Sequence, residues 1–106
     1  MPNDRLETLK KFIETNPDDC FARYGVAQEH LKRGEHEKAL EQFTRIFEIK
    51  PDYQAAYYHG GKAYEKLGRI EEARATYRKG IEVASRSADL HAQSELQAAL
   101  DELSSH

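Results

Sequence analysis

Five histidines, one cysteine, a set of tyrosines and a lysine pair are the residues of this chain with the means to do chemistry. Metal binding needs imidazole or thiolate donors that converge, which on a helix means a spacing of three or four residues. His30, His36, His59, His91 and His106 form no i,i+4 pair and have no cysteine cluster near them, so no metal site is expected. Cys20 stands alone, so no internal disulfide forms and nothing argues for an oxidising compartment. It reads as an inert residue in the first turn of a helix, the alternative being an exposed reactive thiol, because nothing beside it lowers its pKa. Gly60-Gly61 follows no strand and is no phosphate loop, and no serine or cysteine has a nucleophile's setting. Neither catalysis nor a cofactor is expected. What remains is binding chemistry. Lys62 and Lys66 lie one helical turn apart, where like charges repel unless an anion satisfies them, which points to an acidic or carboxylate-bearing partner. The alternative is a solvated lysine face bridged by Glu65 or Glu71.

Composition narrows the class of partner. The 106 residues suffice for one small domain, and a formal charge of −3 with 33% charged residues describes a soluble chain. Lysines and arginines are scattered among acids, without the basic run that nucleic acid would require. No apolar stretch approaches the ~20 residues of a membrane span. Met1-Pro2-Asn3-Asp4 lacks the charged and apolar blocks of a secretory signal, so a cytoplasmic protein is expected.

The elements that must carry these residues are helices. Leu6, Leu9, Phe12 and Ile13 recur at helical spacing behind Asp4-x-x-Glu7, a capping-box pattern, and Asn16-Pro17-Asp18-Asp19 ends that helix. A second helix from Cys20 to Lys32 carries Tyr24, Ala27, His30 and Leu31 on one side and stops at Gly34. Ala39, Leu40, Phe43, Ile46, Phe47 and Ile49 define a third, broken by Lys50-Pro51-Asp52. Tyr57, Gly61, Tyr64 and Leu67 define a fourth, Gly68 its turn, and Ile70, Ala73, Tyr77, Ile81 and Ala84 a fifth. Ala92, Leu96, Ala99, Leu100 and Leu103 mark a sixth. The junction at Ser85-Arg86-Ser87 is a weak breaker, so the fifth and sixth helices either separate there or run on as one.

The chain also matches itself at an offset of 34 residues: Pro17-Asp18 with Pro51-Asp52, Ala22 with Ala56, Tyr24 with Tyr58, Lys32 with Lys66, Gly34 with Gly68, Ala39 with Ala73 and Phe43 with Tyr77. A period in this range marks stacked supersecondary units that bury their apolar faces only against neighbours. The units Arg23-x-x-Val26-Ala27-x-x-His30, Ala39-x-x-x-Phe43, Pro51 and Tyr57-x-x-Gly60-Gly61-x-x-Tyr64, Ala73-x-x-x-Tyr77, Ser85 resemble the tetratricopeptide repeat. Three departures stand out: Arg23 at an aromatic position, Gly60 where leucine is preferred, and Ser85 where a proline is due. Gly60 either leaves room for bulky Ile46 and Phe47 or admits a ligand backbone. The resemblance implies an all-α, right-handed solenoid of antiparallel helix pairs with about six helices, one domain over 1–106. Its parts would be a leading helix at 4–16, repeats at 20–53 and 54–87, and a capping helix at 88–104.

The same resemblance implies a concave groove lined by first helices, which in this family commonly holds segments of other proteins. Carried over, its positions are Phe21, Tyr24, Gln28 and Lys32, then Ala55, Tyr58, His59, Lys62, Glu65 and Lys66, with Asp89, Ala92 and Gln93 from the capping helix. A subclass grips chaperone tails with a clamp of lysines, asparagines and an arginine; Tyr24, Gln28, His59, Asp89 and Gln93 stand there instead, so that clamp is absent. The implied function is a non-catalytic scaffold or adaptor, monomeric or a weak homodimer, binding a peptide or partner helix. The competing reading is a self-assembling structural protein in which exposed Phe21, Tyr53 and the terminal helix join copies.

Overall fold

The computed structural model describes residues 4–104, which leaves Met1-Pro2-Asn3, Ser105 and His106 outside the described residues, with the side chains of Asp4 and Ser104. Within that span the chain forms α1 (Asp4–Thr15), α2 (Cys20–Lys32), α3 (His36–Ile49), α4 (Gln54–Lys66), α5 (Ile70–Arg86) and α6 (Leu90–Ser104), with no strand among the described residues. It is an all-α solenoid: each helix packs on the next in chain order, α4 also touches α6, and the long axis measures 43 Å against 28 and 20 Å. No described helix is long and apolar enough to cross a membrane.

Local chemistry sets the ends of these helices. At α2 the Asp19 carboxylate accepts the Ala22 N–H at 2.9 Å, an N-cap placed by the Pro17-Asp18-Asp19 turn. At its other end Gly34 adopts φ +73°, donating to Leu31 O while the Glu35 N–H reaches back to His30 O, a Schellman closure. The turn after α4 repeats it with Gly68 at φ +76°, bonded to Glu65 O, and Arg69 bonded to Tyr64 O.

The junction between α5 and α6 is a real break, three residues beyond the position where the repeat calls for proline. Without a proline at Ser85, α5 keeps its helical hydrogen bonds through Arg86. It closes with the same Schellman geometry, Ala88 N–H to Ser85 O and Asp89 N–H to Ala84 O, but with Ala88 at φ 57° in the glycine position. Asp89 then caps α6 by accepting the Ala92 N–H at 3.0 Å. The two helices are therefore separate.

Small residues decide how closely the helices approach. Ala27, Ala39, Ala56 and Ala73 are completely buried. A Cβ on Gly61 would lie 2.2 Å from the Tyr77 ring, and one on Gly80 would lie 2.6 Å from Tyr57 Cβ. Phe43 and Tyr77 fill equivalent places in two clusters, one centred on α2, α3 and α4, the other on α4, α5 and α6. The space beside Gly60 is taken by Phe47 and Phe43; Ile46 is not among the nearest atoms.

Breaks in the 34-residue offset turn out to be chemical equivalents. Arg23 Nε donates to Pro17 O at 2.7 Å, and its counterpart Tyr57 donates its hydroxyl to Pro51 O, so both tie their helix to the turn before it. His30 Nδ1 lies 2.9 Å from Glu35 Oε1 across the first glycine turn. Their counterparts Tyr64 and Arg69 meet in the same place as ring and cation, 5.0 Å apart. Buried Glu29 pairs with Arg5 at 2.9 Å, where the next unit has Ala63 and Ala39, both buried.

Candidate functional site

The α2 residues expected to line a groove come together. Phe21, Tyr24, Gln28 and Lys32 recur at three- and four-residue steps and therefore share one stripe of α2. With Arg5 and Leu9 of α1, Gly25 and Glu29 they enclose an opening of about 570 Å³. Phe21 is 76% exposed, the most open large apolar side chain of the described residues. Tyr24 is half-buried against Phe43 and Tyr53, and that burial pushes its phenol above the usual range.

A second opening, of about 210 Å³, lies between α4 and α6 and is lined by Gln54, Ala55, Tyr58, Asp89, Ala92, Glu95 and Leu96. His59 lines neither opening, but its ring lies 5.9 Å from Tyr24 of the first and 5.3 Å from Tyr58 of the second, both edge-on. Desolvation lowers the His59 pKa from the ordinary value, with Glu95 opposing the shift. An unbroken row of rings therefore runs from α2 to α4.

The lysines behave differently from one another. Lys62 Nζ sits 5.5 Å over the Tyr58 ring and is bridged by Glu65 at 3.8 Å and Glu102 at 3.9 Å. Glu71 plays no part in that bridge, since it pairs with Arg74. Lys66 is exposed at the end of α4 and lines neither opening. Asp89 is a structural cap first: its carboxylate accepts from Ala92 N–H and from Gln54 Nε2 at 2.8 Å, and these bonds hold it below the usual carboxylate range. Tyr53, expected at the surface, is half-buried on Tyr24, so it is no exposed anchor for a second copy. Cys20 is buried in the first turn of α2, and desolvation raises its thiol pKa, which disfavours the thiolate.

Reading the repeat missed Arg5, Leu9 and Glu29. Glu29 is a buried carboxylate whose Oε2 receives both Arg5 Nε at 2.9 Å and Lys32 Nζ at 3.3 Å. The one available signal was that Arg5 and Glu29 both stand 34 residues before alanines, so that a charge pair replaces a small pair.

Comparison with known proteins agrees with the architecture. The family profile of the tetratricopeptide repeat matches residues 30–100. A tetratricopeptide-repeat-containing protein of Pseudomonas aeruginosa is 30% identical over 91 residues, covering 86% of this chain and 87% of that protein. DnaJ homolog subfamily C member 3 of Rattus norvegicus is 33% identical over 94 residues, 88% of this chain but only 19% of the relative's length. Among solved structures, the tetratricopeptide repeat domain protein of Salinibacter ruber superposes with a TM-score of 0.78 at 45% identity, covering 82% of this chain and 97% of that one. Repeat period, glycine turns, alanine contacts and these likenesses agree, and the chain belongs to the tetratricopeptide repeat family, a generally non-catalytic protein-interaction fold.

Proposed function

We propose that this chain is an interaction scaffold or adaptor that holds a peptide or partner helix along the row Tyr24, His59 and Tyr58. The observation that carries this reading is the continuity of that row between two openings, with Phe21 left 76% exposed at its α2 end. Tyrosine rings held in place by packing contribute contact area with little torsional freedom left to lose. The reading is tested with Phe21→Glu, whose exposure protects the fold. Partners captured from native extract by the wild-type protein should be lost, with an unchanged circular dichroism spectrum. An unaltered set of partners would sink the groove reading. Self-assembly through the terminal helix keeps one support, Leu90 at 75% exposure. Light scattering over a concentration series decides it, since a strict monomer at every concentration rules it out.

A further inference from the structure

Away from the ring row, α1 is half of a repeat. At the 34-residue offset its Leu6, Leu9 and Phe12 stand where α3 has Leu40, Phe43 and Ile46, so α1 has the character of a second helix. Among the described residues no first helix precedes it. Burial shows the consequence. Leu6 is buried like Leu40, but Leu9 is only half-buried and Phe12 is 46% exposed, where Phe43 and Ile46 are completely buried. The second repeat shows what covers such a face. The Tyr77 ring packs on Gly61 and Gly80 packs on Tyr57 Cβ, both contacts being made with α4, the first helix of the same unit. Leu9 and Phe12 stand two offsets before Tyr77 and Gly80. The flank offered by α2 is open as well. His59, the sixth residue of α4, lies 5.9 Å from Tyr24 of the first helix before it, and Glu95, the sixth of α6, lines an opening with Tyr58 of the first helix before it. The sixth residue of α2 is Gly25, and it borders the opening of about 570 Å³ that it shares with Leu9 and exposed Phe21.

We propose that this place takes an amphipathic helix of another protein, which completes the half repeat, and that Leu9 and Phe12 select it by size. On α5 a large ring at Tyr77 is followed by the bare backbone of Gly80, and α4 answers with a large residue at Tyr57 and none at Gly61. On α1 the sizes are inverted, with bulky Phe12 at the glycine place and the shorter Leu9 at the tyrosine place. A matching helix therefore carries Ala or Gly against Phe12 and, four residues later, a Leu-sized side chain against Leu9. Arg5 fills the place of completely buried Ala39 and Ala73, which confines close approach to the later turns of α1. None of the first helices of this chain has the required order. Their fourth and eighth residues are Arg23 and Ala27 in α2, Tyr57 and Gly61 in α4, and Gln93 and Gln97 in α6. Among the described residues α6 is the one with no second helix after it, and in a second copy it would set two glutamines against Phe12 and Leu9. Burying those amides on an apolar wall is unfavourable, so the occupant is a different protein.

The test uses three short fluorescein-labelled helical peptides with identical polar residues. At two places four residues apart on the apolar face they carry Ala then Leu, Leu then Ala, or Gln then Gln. Fluorescence anisotropy gives their affinities for the full chain. The Ala-then-Leu peptide should bind at least ~10-fold tighter than either of the others, as one well-filled apolar contact at a helix interface gives. Leu9→Phe combined with Phe12→Ala restores the order of sizes found on α5 and should reverse the preference. Phe12→Ala alone, at an exposed position and with an unchanged circular dichroism spectrum, should shrink the gap between the two orders, and it decides the matter if the double variant does not fold. Equal binding of the two orders, binding of none of the three, or a ranking unmoved by Phe12→Ala overturns the proposal. So does concentration-dependent association of the wild-type chain that Phe12→Glu abolishes, because the seat would then belong to a second copy.

Discussion

Gly60 and Gly61 are chain neighbours in α4 that answer to different constraints. A Cβ on Gly60 would lie 3.4 Å from Phe47 Cζ and 3.7 Å from Phe43 Cβ, ordinary contact distances. A Cβ on Gly61 would overlap three atoms of the Tyr77 ring, the nearest at 2.2 Å. Tyr77 cannot yield, because it is completely buried and its hydroxyl donates to Glu65. Gly60→Ala should therefore stabilise the protein by about 0.5–1 kcal/mol, the helix-propensity gain of alanine over glycine. Gly61→Ala should cost about 1–3 kcal/mol through overpacking. Urea unfolding of both variants checks the pair, and a destabilised Gly60→Ala would show that the Phe47 contact is already tight. The same geometry disposes of a ligand backbone at Gly60, since aromatic side chains fill that space.

At the scale of the element, the informative comparison is among the three Schellman turns, two closed by glycine and one by Ala88. A residue with a Cβ in the left-handed region is strained by roughly 1 kcal/mol relative to glycine. Because the hydrogen bonds of all three turns match, Ala88→Gly should recover most of that strain without moving α6. The expected readout is a melting temperature several degrees higher at an unchanged helical signal, as ~1 kcal/mol gives in a domain of this size. No rise would mean that the added chain entropy of glycine offsets the strain. This turn also shows where the sequence was legible. The ends of α1 to α4 follow from Pro17, Gly34, Pro51 and Gly68, residue types whose backbone limits act locally. The end of α5 has no such residue: Ser85, Arg86 and Ser87 all tolerate helix, and Ala88 takes its positive φ only because α6 must fold back onto α5 through Leu96, Ala99 and Leu103. A tertiary demand of that kind leaves no local mark. The site divides likewise. Phe21, Tyr24, Gln28 and Lys32 were readable because one helical stripe presents them together. Arg5 and Glu29 meet across two helices, and Lys66, although the 34-residue mate of Lys32, lines neither opening and has Ala63 where Lys32 has Glu29 three residues before it.

Across the whole molecule, the shifted groups that titrate on the acid side act in one direction. His59 sits desolvated in the ring row, so its folded pKa is lowered from 6.5. Glu35 is lowered from 4.5 by its hydrogen bond to His30, Glu72 from 4.5 by Arg69, and Asp89 from 3.8 by Ala92 N–H and Gln54. A depressed histidine means that the unfolded chain takes up a proton first, so stability falls as pH drops below 6.5 towards the folded value. The depressed carboxylates contribute stability above their unfolded values of 4.5 and 3.8, and lose it as pH falls further. The acid limb should therefore have two stages, an early one owed to the single histidine of the ring row and a later one owed to the turns and helix starts. In a solenoid whose units are stabilised only by their neighbours, both stages weaken the same stack, because His59 lies between the two core clusters while Glu35 and Asp89 sit at turns on either side. Melting temperature measured across about pH 7.5 to 3.5 should show this, and His59→Gln should flatten the first stage while leaving the second in place. If wild type and His59→Gln fall in parallel from the start, the imidazole is solvated and the ring row is open to water. A flattened first stage fixes His59 as a neutral, desolvated part of the surface along which a partner would lie.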